Sequence, residues 1–558
     1  MATDIRHPHD RVPASSDVAG PGSGVEARTV VAVWWRTYRH HLRLLRNGAI
    51  GWIVGLVGIS WGVAVTFDDR YSTPEELAAF AEFEGVPAFE AMLGRLVGLT
   101  TVEGGVLSRW GMFGVLAAIW GMLAAVRLLR RAEEAGHLEP LRAGAISPRG
   151  LLSSVLAALA TVFLVFGIAI GVSHSAAGMD VATSWALGAA AALVTASFAA
   201  AGALASQLAT SSRRATGIVG IALGVSLAIR IVASASATPE WVWWVTPLGW
   251  LGYLHEVDQA QTTVILAYLG LLAVLVAATF VLADRDLHAG RLTAGDDTVT
   301  RDRRPVSGQA ALAVRLTAGP ARTWGLVAGF VALGVGLLAR DFSEAVADLE
   351  TMAELTAMLG YPGMGTPEGI VGFAFSLVGI VLAVFAASQA VAIREEEATW
   401  RIEHLLVRPI GRVRWLATRT VTAAAAIAIA ALSAGVLAWV GTALVGTPIA
   451  VTDGLLAGVN LIPIAWLALG VGIAVVGLAP RRTAPITYTV VVAAYLLDFV
   501  GGMLELPEAV LDLSPFRHLA AVPAADLNLT ASLVMLAVAV AGAAVGILAF
   551  RHRDLQEA

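Results

Sequence analysis

The sequence contains no cysteine and no lysine, and only 14% of its 558 residues are charged. Without cysteine the chain has no disulfides, thiolate metal sites, iron–sulfur clusters or cysteine nucleophiles. Without lysine it has no P-loop, because that motif needs a lysine that reaches the β- and γ-phosphates of a nucleotide. All 37 basic side chains are arginines. These absences exclude a P-loop ATPase site within this chain.

Most of the uncharged residues of the chain are apolar. The hydrophobic fraction is 57% and the mean hydropathy is +0.75, whereas soluble domains carry about 25% charged residues. Apolar stretches of about 20 residues predict membrane-spanning helices. Twelve can be drawn, at 47–67, 107–129, 150–172, 183–208, 216–236, 262–283, 323–340, 369–392, 415–441, 454–479, 485–503 and 529–550. The expected fold class is all-α integral membrane.

The distribution of arginine predicts the orientation of the chain. With both termini on the cytoplasmic side, 31 of the 37 arginines lie in cytoplasmic segments, as the positive-inside rule requires. The loops 68–106 and 341–368, on the opposite side, are rich in Asp and Glu instead. Residues 1–26 are rich in Pro, Gly, Ser and Asp and lack the pattern of a signal peptide. This composition predicts a disordered cytoplasmic tail.

An arginine-rich segment precedes the first span. Within residues 34–46, four arginines alternate with aromatic and apolar side chains. This pattern indicates an interfacial amphipathic helix that lies on the inner leaflet. The alternative is that the helix of the first span extends outward, with arginines that snorkel to the membrane surface.

Short motifs in the first half recur in the second half, in the same order and at a nearly constant spacing. Residues 91–94 match 357–360, residues 101–104 match 366–369, Arg213 and Arg214 match Arg481 and Arg482, and Thr246-Pro247 matches Ser514-Pro515. Each half has six spans, so both halves enter the membrane in the same direction. The chain is therefore predicted to form two parallel six-helix repeats, 27–284 and 319–558, related by a pseudo-twofold axis along the membrane normal. Residues 285–318 would be the cytoplasmic linker.

Two charged cytoplasmic segments, 130–149 and 394–414, also recur. Each is predicted to begin as a helix and to break at Pro or Gly before the next span. The candidate contact residues are Glu133, Glu134, Glu139, Arg142 and Arg149 in the first segment, and Glu396, Glu397, Glu403, Arg408 and Arg412 in the second. A short helix anchored to two spans is suited to docking a cytoplasmic partner. The alternative is a solvated loop whose charges only determine topology, although topology does not require the carboxylates to recur.

The first segment reads R-x-E-E-x-G-x-x-E from Arg131 to Glu139, followed by a small-residue and Pro turn and then Arg149. Together with the Thr-Pro and Ser-Pro landmarks, this pattern resembles the coupling segment of ABC-2 type exporter permeases. The fused twelve-span architecture resembles the membrane subunits of actinobacterial multidrug and polyketide-antibiotic exporters. The second copy departs from the pattern, because it has one extra residue and has Thr399 where the first has Gly136.

The resemblance implies a permease subunit that has no ATPase site of its own. A separate ABC ATPase, in two copies, would bind ATP and Mg²⁺ and drive the export of hydrophobic or amphipathic, drug-like or antibiotic-like compounds across the bacterial plasma membrane. Spans 2, 5, 8 and 11 would line the path. No cofactor in this chain and no nucleic-acid partner are expected. No histidine has metal-ligand spacing, so no metal site is expected either.

Two ionisable residues lie within predicted spans, Arg230 in the fifth and Asp498 in the eleventh, at the same spacing as the Thr-Pro and Ser-Pro landmarks. An intramembrane charge costs about 2.5–3.5 kcal/mol on insertion scales. We therefore predict that the two face each other as an intramembrane charge pair; two separate snorkelling residues are the alternative.

Two other classes of function compete with the exporter. An ion-coupled secondary transporter would need acidic residues near the middle of the membrane, where only Asp498 qualifies. An intramembrane enzyme would need a histidine–carboxylate cluster, which the predicted spans lack.

Overall fold

The computed structural model describes residues 23–70, 73–85, 89–90, 93–142, 146–234, 239–254, 259–284, 308–347, 366–398, 411–503 and 507–553. These residues form helices joined by turns and contain no β-strand. Eleven helices among them are long and apolar enough to cross a membrane. The remaining predicted span, 485–503, corresponds to the helix Thr483–Met503, which is not one of the eleven. The twelve-span arrangement therefore stays a prediction.

Contacts divide the chain into two compact units, residues 1–299 and 300–558. The first unit contains α1 (Ser23–Arg70), α2 (Pro74–Ala81), α3 (Val102–Val126), α4 (Pro148–Ala176), α5 (Val181–Leu208), α6 (Ser212–Ala233) and α7 (Gln259–Val281). The second contains α8 (Gln309–Ala347), α9 (Pro367–Ala398), α10 (Arg412–Leu444), α11 (Val451–Asn460), α12 (Ile462–Leu478), α13 (Thr483–Met503) and α14 (Leu529–His552).

The helices pack in the same order in both units. In the first, α1 packs on α3 and α4, α5 packs on α3, α4 and α7, and α3 also contacts α6. In the second, α8 packs on α9 and α10, α11 packs on α10, α12 packs on α9 and α14, and α9 also contacts α13. Each unit has its own buried core, composed mainly of Ala, Leu, Val and aromatic side chains.

A glycine contact occurs at corresponding places in the two units. In the first unit, a Cβ atom added to Gly167 of α4 would lie 2.5 Å from the carbonyl oxygen of Gly188 in α5. In the second, a Cβ atom on Gly435 of α10 would lie 2.1 Å from the carbonyl oxygen of Gly454 in α11. No side chain fits at either contact, because glycine is what lets the two backbones approach so closely.

The first helix differs from the expected arrangement. α1 is one continuous helix of 48 residues, so the arginine-rich segment and the first span belong to the same element. In the described part of the chain, no break in the helix separates the two. The interfacial position of the arginine-rich segment stays a prediction. The helix also includes residues 23–26, which fall within the predicted tail.

Two further boundaries differ from those expected. α8 begins at Gln309, inside the predicted linker, and the seventh span is correspondingly longer than drawn from the sequence. The tenth span consists of two helices, α11 and α12, that meet at Leu461. Pro463 lies in the first turn of α12, and proline ends a preceding helix because it has no N–H and its ring clashes with a carbonyl one turn earlier.

Candidate functional site

The arginine-rich end of α3 carries a buried ion pair. After Val126 the helix continues through a π-helical turn, Arg127–Arg131, and one further α turn, Ala132–Glu134. Arg130 donates to a carboxylate oxygen of Glu133 at 2.9 Å, and both side chains are at most 3% exposed. Because Glu133 is buried, it anchors the segment from inside and does not present its carboxylate to a partner.

The next carboxylate joins this segment to the start of the fifth span. Glu134 accepts a hydrogen bond from the backbone N–H of Ser212 at 2.8 Å, and a second one from the Ser212 hydroxyl. Ser212 is the first residue of α6. The first backbone N–H groups of a helix have no partner within the helix, and the helix dipole favours an anion there. Glu134 is therefore placed to hold the end of α3 against the beginning of α6.

Beyond Glu134 the chain turns sharply. The N–H of His137 bonds to the carbonyl of Ala132 at 2.9 Å and the N–H of Gly136 bonds to that of Glu133 at 3.0 Å, which is the Schellman pattern of a helix C-terminus. Gly136 has φ +73°, a backbone conformation that favours glycine. A short helix, Glu139–Arg142, follows.

The outer surface of this turn is formed by exposed side chains. They are Arg131, Glu134, His137 and Glu139. Of the predicted contact residues in the first segment, Glu134 and Glu139 are thus accessible and Glu133 is not. The side chain of Arg142 lies outside the described residues.

The second unit has a corresponding ion pair, which also involves an arginine at the end of its last helix. Arg394 and Glu397, near the end of α9, are 3.4 Å apart. Both carboxylate oxygens of Glu397 also accept hydrogen bonds from Arg553, at 2.6 and 2.7 Å. Arg553 follows the last residue of α14, so this cluster ties the second span of the unit to its last one.

Arg394 also reaches the turn that precedes the fifth span of the second unit. Its Nε donates to the carbonyl oxygen of Pro480 at 3.1 Å, shortly before α13 begins at Thr483. The first unit makes the corresponding connection through Glu134 and Ser212. A charged side chain at the end of α3 thus holds the start of α6, and one near the end of α9 holds the turn before α13.

Glu396 takes part in a separate ion pair. Its carboxylate accepts from Arg419 of α10 at 2.7 Å. Arg419 also donates to the Thr317 hydroxyl at 2.8 Å and to the Ala313 carbonyl at 3.2 Å, both in α8. This arginine thus connects the first three spans of the second unit. The predicted contact residues Glu396 and Glu397 are internal anchors here, and Glu403 and Arg408 lie outside the described residues.

The structure shifts the correspondence of the two charged segments by one position. The sequence motifs pair Glu133 with Glu396, whereas the buried ion pairs match Glu133 with Glu397. At the other end of the same helices, the two units have equivalent capping residues. Thr101 caps α3 by accepting from the N–H of Gly104 at 3.1 Å, and Thr366 accepts from the N–H of Gly369 at 3.2 Å.

The number of residues between the capping threonine and the buried glutamate differs between the two units, and the π-helical turn accounts for the difference. From the capping threonine to the buried glutamate, the first unit is longer than the second by a single position. A π turn contains more residues than an α turn, because its hydrogen bonds run from i to i+5 instead of i to i+4. The turn Arg127–Arg131 lies within this stretch of the first unit, whereas α9 is α-helical as far as Ala398. The additional residue of the first copy is therefore accommodated in the π turn.

The start of the third span contacts the end of the sixth span in each unit. Arg149 forms an ion pair with Asp284 at 2.7 Å in the first unit, where both side chains are more than half exposed. In the second unit, Arg412 donates to the backbone carbonyl of Arg553 at 2.8 Å. The described contact is thus an exposed ion pair in the first unit and a hydrogen bond to the backbone in the second.

The two intramembrane ionisable residues lie in different units. Arg230 of α6 is 2% exposed and donates to the carbonyl oxygen of Gly111 in α3. Asp498 lies in α13 and is partly exposed. The proposed pair between them stays a prediction.

A hydroxyl motif near these residues is the same in both units. Thr246 donates to the carbonyl oxygen of Ser226 in α6 at 3.0 Å, and Ser514 donates to that of Ala494 in α13 at 2.7 Å. Each hydroxyl oxygen also accepts from the N–H two positions later in the chain, at 3.4 and 3.2 Å. Every position of this motif has the same spacing between the units as the Thr-Pro and Ser-Pro landmarks.

Sequence reasoning missed three arginines that hold the charged segments in place, Arg130, Arg419 and Arg553. For Arg130 a signal was available, since Arg-x-x-Glu places the two side chains on one helix face and occurs in both segments. Arg553 also had a signal, because it begins an Arg-Asp-Leu that recurs from Arg285 at the spacing of the other landmarks. No local pattern identifies the carboxylate partners of Arg419 and Arg553, which are 23 and 156 residues away.

The long apolar helices, with their charged ends tied together by ion pairs, are those of a polytopic membrane protein. The family model described as "Multidrug efflux system permease Rv1217c, C-terminal domain" matches residues 40–282 and 306–551. The multidrug efflux system permease protein Rv1217c of Mycobacterium tuberculosis (strain ATCC 25618 / H37Rv) is 30% identical over 522 residues, which cover 88% of this chain and 89% of that protein. The chain belongs to this family of efflux-system permeases, and it is a transport permease.

Proposed function

We propose that this chain is the membrane subunit of an ABC-2 type exporter. Two copies of a separate ATPase, which bind the ATP and Mg²⁺, would drive it to move hydrophobic or amphipathic, drug-like compounds out of the cell. Its twelve spans would form two parallel repeats, with both termini in the cytoplasm of a bacterium. The absence of lysine supports a separate ATPase, because the chain cannot supply a P-loop of its own.

The observation that carries this proposal is the connection between the charged segments and the fifth span of each unit. Glu134 holds Ser212 at the start of α6, and Arg394 holds the Pro480 carbonyl just before α13. A force applied to the exposed turn beyond α3 would therefore reach α6 directly. The helices linked in this way are spans 2 and 5 of each unit, which are the helices expected to line the path.

The exposed turn offers the ATPase a small and rigid contact surface. The buried pair of Arg130 and Glu133 fixes its inner side, and the Schellman turn at Gly136 fixes its shape. Glu134 and Glu139 remain on the outer side. The arginines that follow, Arg142 and Arg149 in the first segment and Arg408 and Arg412 in the second, are assigned to the same contact on the basis of the sequence alone.

The test uses the full chain reconstituted with its ATPase in proteoliposomes. The double variant Glu139→Ala/Glu403→Ala is expected to abolish the stimulation of ATP hydrolysis by transported compound, while the permease still folds. The control removes two exposed acids from the opposite end of the first unit, Glu75→Ala/Glu82→Ala, and should retain the stimulation. Normal stimulation in the Glu139/Glu403 variant would contradict the proposal.

A second measurement separates the exporter from an ion-coupled secondary transporter. Transport by the full chain is measured without ATPase under an imposed proton gradient, and then with ATPase and ATP but no gradient. The proposal expects transport only in the second case. Transport under the gradient alone would favour the secondary transporter.

A further inference from the structure

One face of α1 carries a row of four exposed arginines. Arg36, Arg39, Arg43 and Arg46 recur at every third or fourth position, and all four are exposed. At about 3.6 residues per turn they fall within an arc of about 80° and extend about 15 Å along the helix. We call this row the arginine stripe. None of its members forms an ion pair with an acidic side chain in the described part of the chain.

The opposite face of the helix is fixed against α4 by polar contacts. Trp34 donates to the hydroxyl of Ser153 at 2.8 Å, and the hydroxyls of Tyr38 and Thr161 are 2.9 Å apart. Further along the same face, the buried His41 ring lies 3.3 Å from the Ser154 hydroxyl. These contacts set the rotation of α1 about its own axis, so the arginine stripe faces outward because of how the unit packs.

The same outward face becomes apolar where the helix enters the predicted membrane span. Ile50, Val54, Trp61 and Val65 are 38–67% exposed. They lie on the same side as the arginine stripe, and together the two rows span an arc of about 100°. One face of α1 thus presents guanidinium groups in its N-terminal part and apolar side chains in its C-terminal part. No Asp or Glu occurs between residues 30 and 67.

We propose that the arginine stripe and the apolar row beneath it form a binding surface for anionic phospholipids. The lipid phosphates would lie against the guanidinium groups, which bind phosphate well, and the acyl chains against the apolar row. A soluble anion or an acidic protein segment would use the arginines but would leave the apolar row unexplained. Juxtamembrane clusters of basic residues are attracted to anionic lipid surfaces.

The second unit has a weaker version of this surface. Trp52 of α1 stacks on Trp120 of α3 as Trp324 of α8 stacks on Phe385 of α9. Trp120 and Phe385 have the same spacing as the capping threonines of α3 and α9, so Trp52 aligns with Trp324. In that register, Arg43 corresponds to Arg315. The other three arginines of the stripe are replaced by Gly308, Ala311 and Ala318. The full stripe is therefore specific to the first unit, and the lipid surface is asymmetric between the units.

The experiment measures lipid binding to the purified full chain in a neutral detergent by native mass spectrometry. The protein is titrated with dioleoyl phosphatidylglycerol, which is anionic, or with dioleoyl phosphatidylcholine, which has no net charge. The wild type is expected to bind the anionic lipid more tightly. Arg43→Gln/Arg46→Gln, which removes the two arginines nearest the apolar row, is expected to weaken that binding about tenfold and to leave phosphatidylcholine binding unchanged.

Two further variants serve as controls, one for disruption of the helix by substitution and one for the change in net charge. Arg43→Lys/Arg46→Lys keeps the charge and should retain the preference for the anionic lipid, as a check that the positions tolerate substitution. Arg213→Gln/Arg551→Gln removes two exposed arginines elsewhere, with the same change in net charge, and should change the binding less than twofold.

Three results would overturn the proposal. The first is unchanged phosphatidylglycerol binding in Arg43→Gln/Arg46→Gln. The second is an equal loss in Arg213→Gln/Arg551→Gln, which would point to net charge alone. The third is displacement of phosphatidylglycerol by inorganic phosphate at millimolar concentration, which would indicate a site for a soluble anion. None of these measurements involves the ATPase, so their outcome is independent of the proposed transport function.

Discussion

The charged ends of α3 and α9 do the same structural task with different charges. In the first unit, Glu133 pairs with Arg130, and a second carboxylate, Glu134, reaches the fifth span. In the second unit, Glu397 faces two arginines, and one of these, Arg394, reaches the turn before the fifth span. The link to the fifth span is thus made by an acid in one unit and by a base in the other. What recurs is the position of the link and not its chemistry.

The described contacts at the end of the last helix also differ between the units. In the second unit Arg553 turns inward to Glu397, whereas in the first unit Asp284 pairs with Arg149 at the surface. At the spacing of the Thr-Pro and Ser-Pro landmarks, the counterpart of Arg553 is Arg285, which lies outside the described residues.

The largest expected effect is the loss of Glu397. Glu397→Ala removes the carboxylate that faces two arginines, each with a side chain at most 14% exposed. Breaking a buried ion pair costs about 3–5 kcal/mol. Glu133→Ala removes the corresponding carboxylate of the first unit, which is also buried, and should lower stability too. The apparent Tm in detergent, followed by tryptophan fluorescence, should fall clearly for both variants and hardly at all for the exposed control Glu75→Ala. A fall for Glu397→Ala no larger than that for Glu75→Ala would show that the buried ion pairs do not stabilise the charged ends.

A smaller effect is expected at the contacts that end the last helix of each unit. Arg553→Ala removes charged hydrogen bonds to a buried carboxylate, each of a kind that contributes about 1.5–3 kcal/mol. Asp284→Ala removes an exposed ion pair, and such pairs contribute about 0.2–1 kcal/mol. The same thermal measurement should separate the two variants clearly. If Asp284→Ala proved the more destabilising, the contrast between a buried and a surface connection would be wrong.

The smallest effect concerns pH and the start of the fourth span. Asp180 caps α5, and hydrogen bonds from the backbone and side chain of Thr183 lower its pKa below the ordinary value, which is about 3.9. A lowered pKa means that the cap stabilises above the ordinary value and is lost as the pH falls through the lowered one. Ala450, which precedes α11 in the second unit, makes no side-chain cap.

Hydrogen exchange in the first turn of each helix tests this difference. In the wild type, acidification below about pH 4 should reduce protection at the start of α5 more than at the start of α11. In Asp180→Asn the loss at α5 should disappear, because asparagine caps a helix without titrating. A pH-dependent loss that persists in Asp180→Asn would assign the effect to another group.

The helical class and most of the spans could be predicted from the sequence, because the length of an apolar stretch is a strong signal along the chain. The repeated Thr and Ser landmarks were also informative, since Thr101, Thr366, Thr246 and Ser514 make matching hydrogen bonds. The register of the charged segments was off by a single position, because a π turn leaves no signature in hydropathy. Arg419 and Arg553 could not be assigned, because their partners come from distant parts of the chain. The exposed Glu134 and the buried Glu133 are adjacent in sequence, and only packing distinguishes them.

The π turn at Arg127–Arg131 also determines how a difference in length is tolerated. One residue added to an α-helix rotates everything beyond it by about 100°, which would turn the ion pair and the exposed carboxylates away from their neighbours. The π turn confines that addition to a single bulge. The two units can therefore differ in length by one residue while Glu133 and Glu397 both remain buried in their ion pairs.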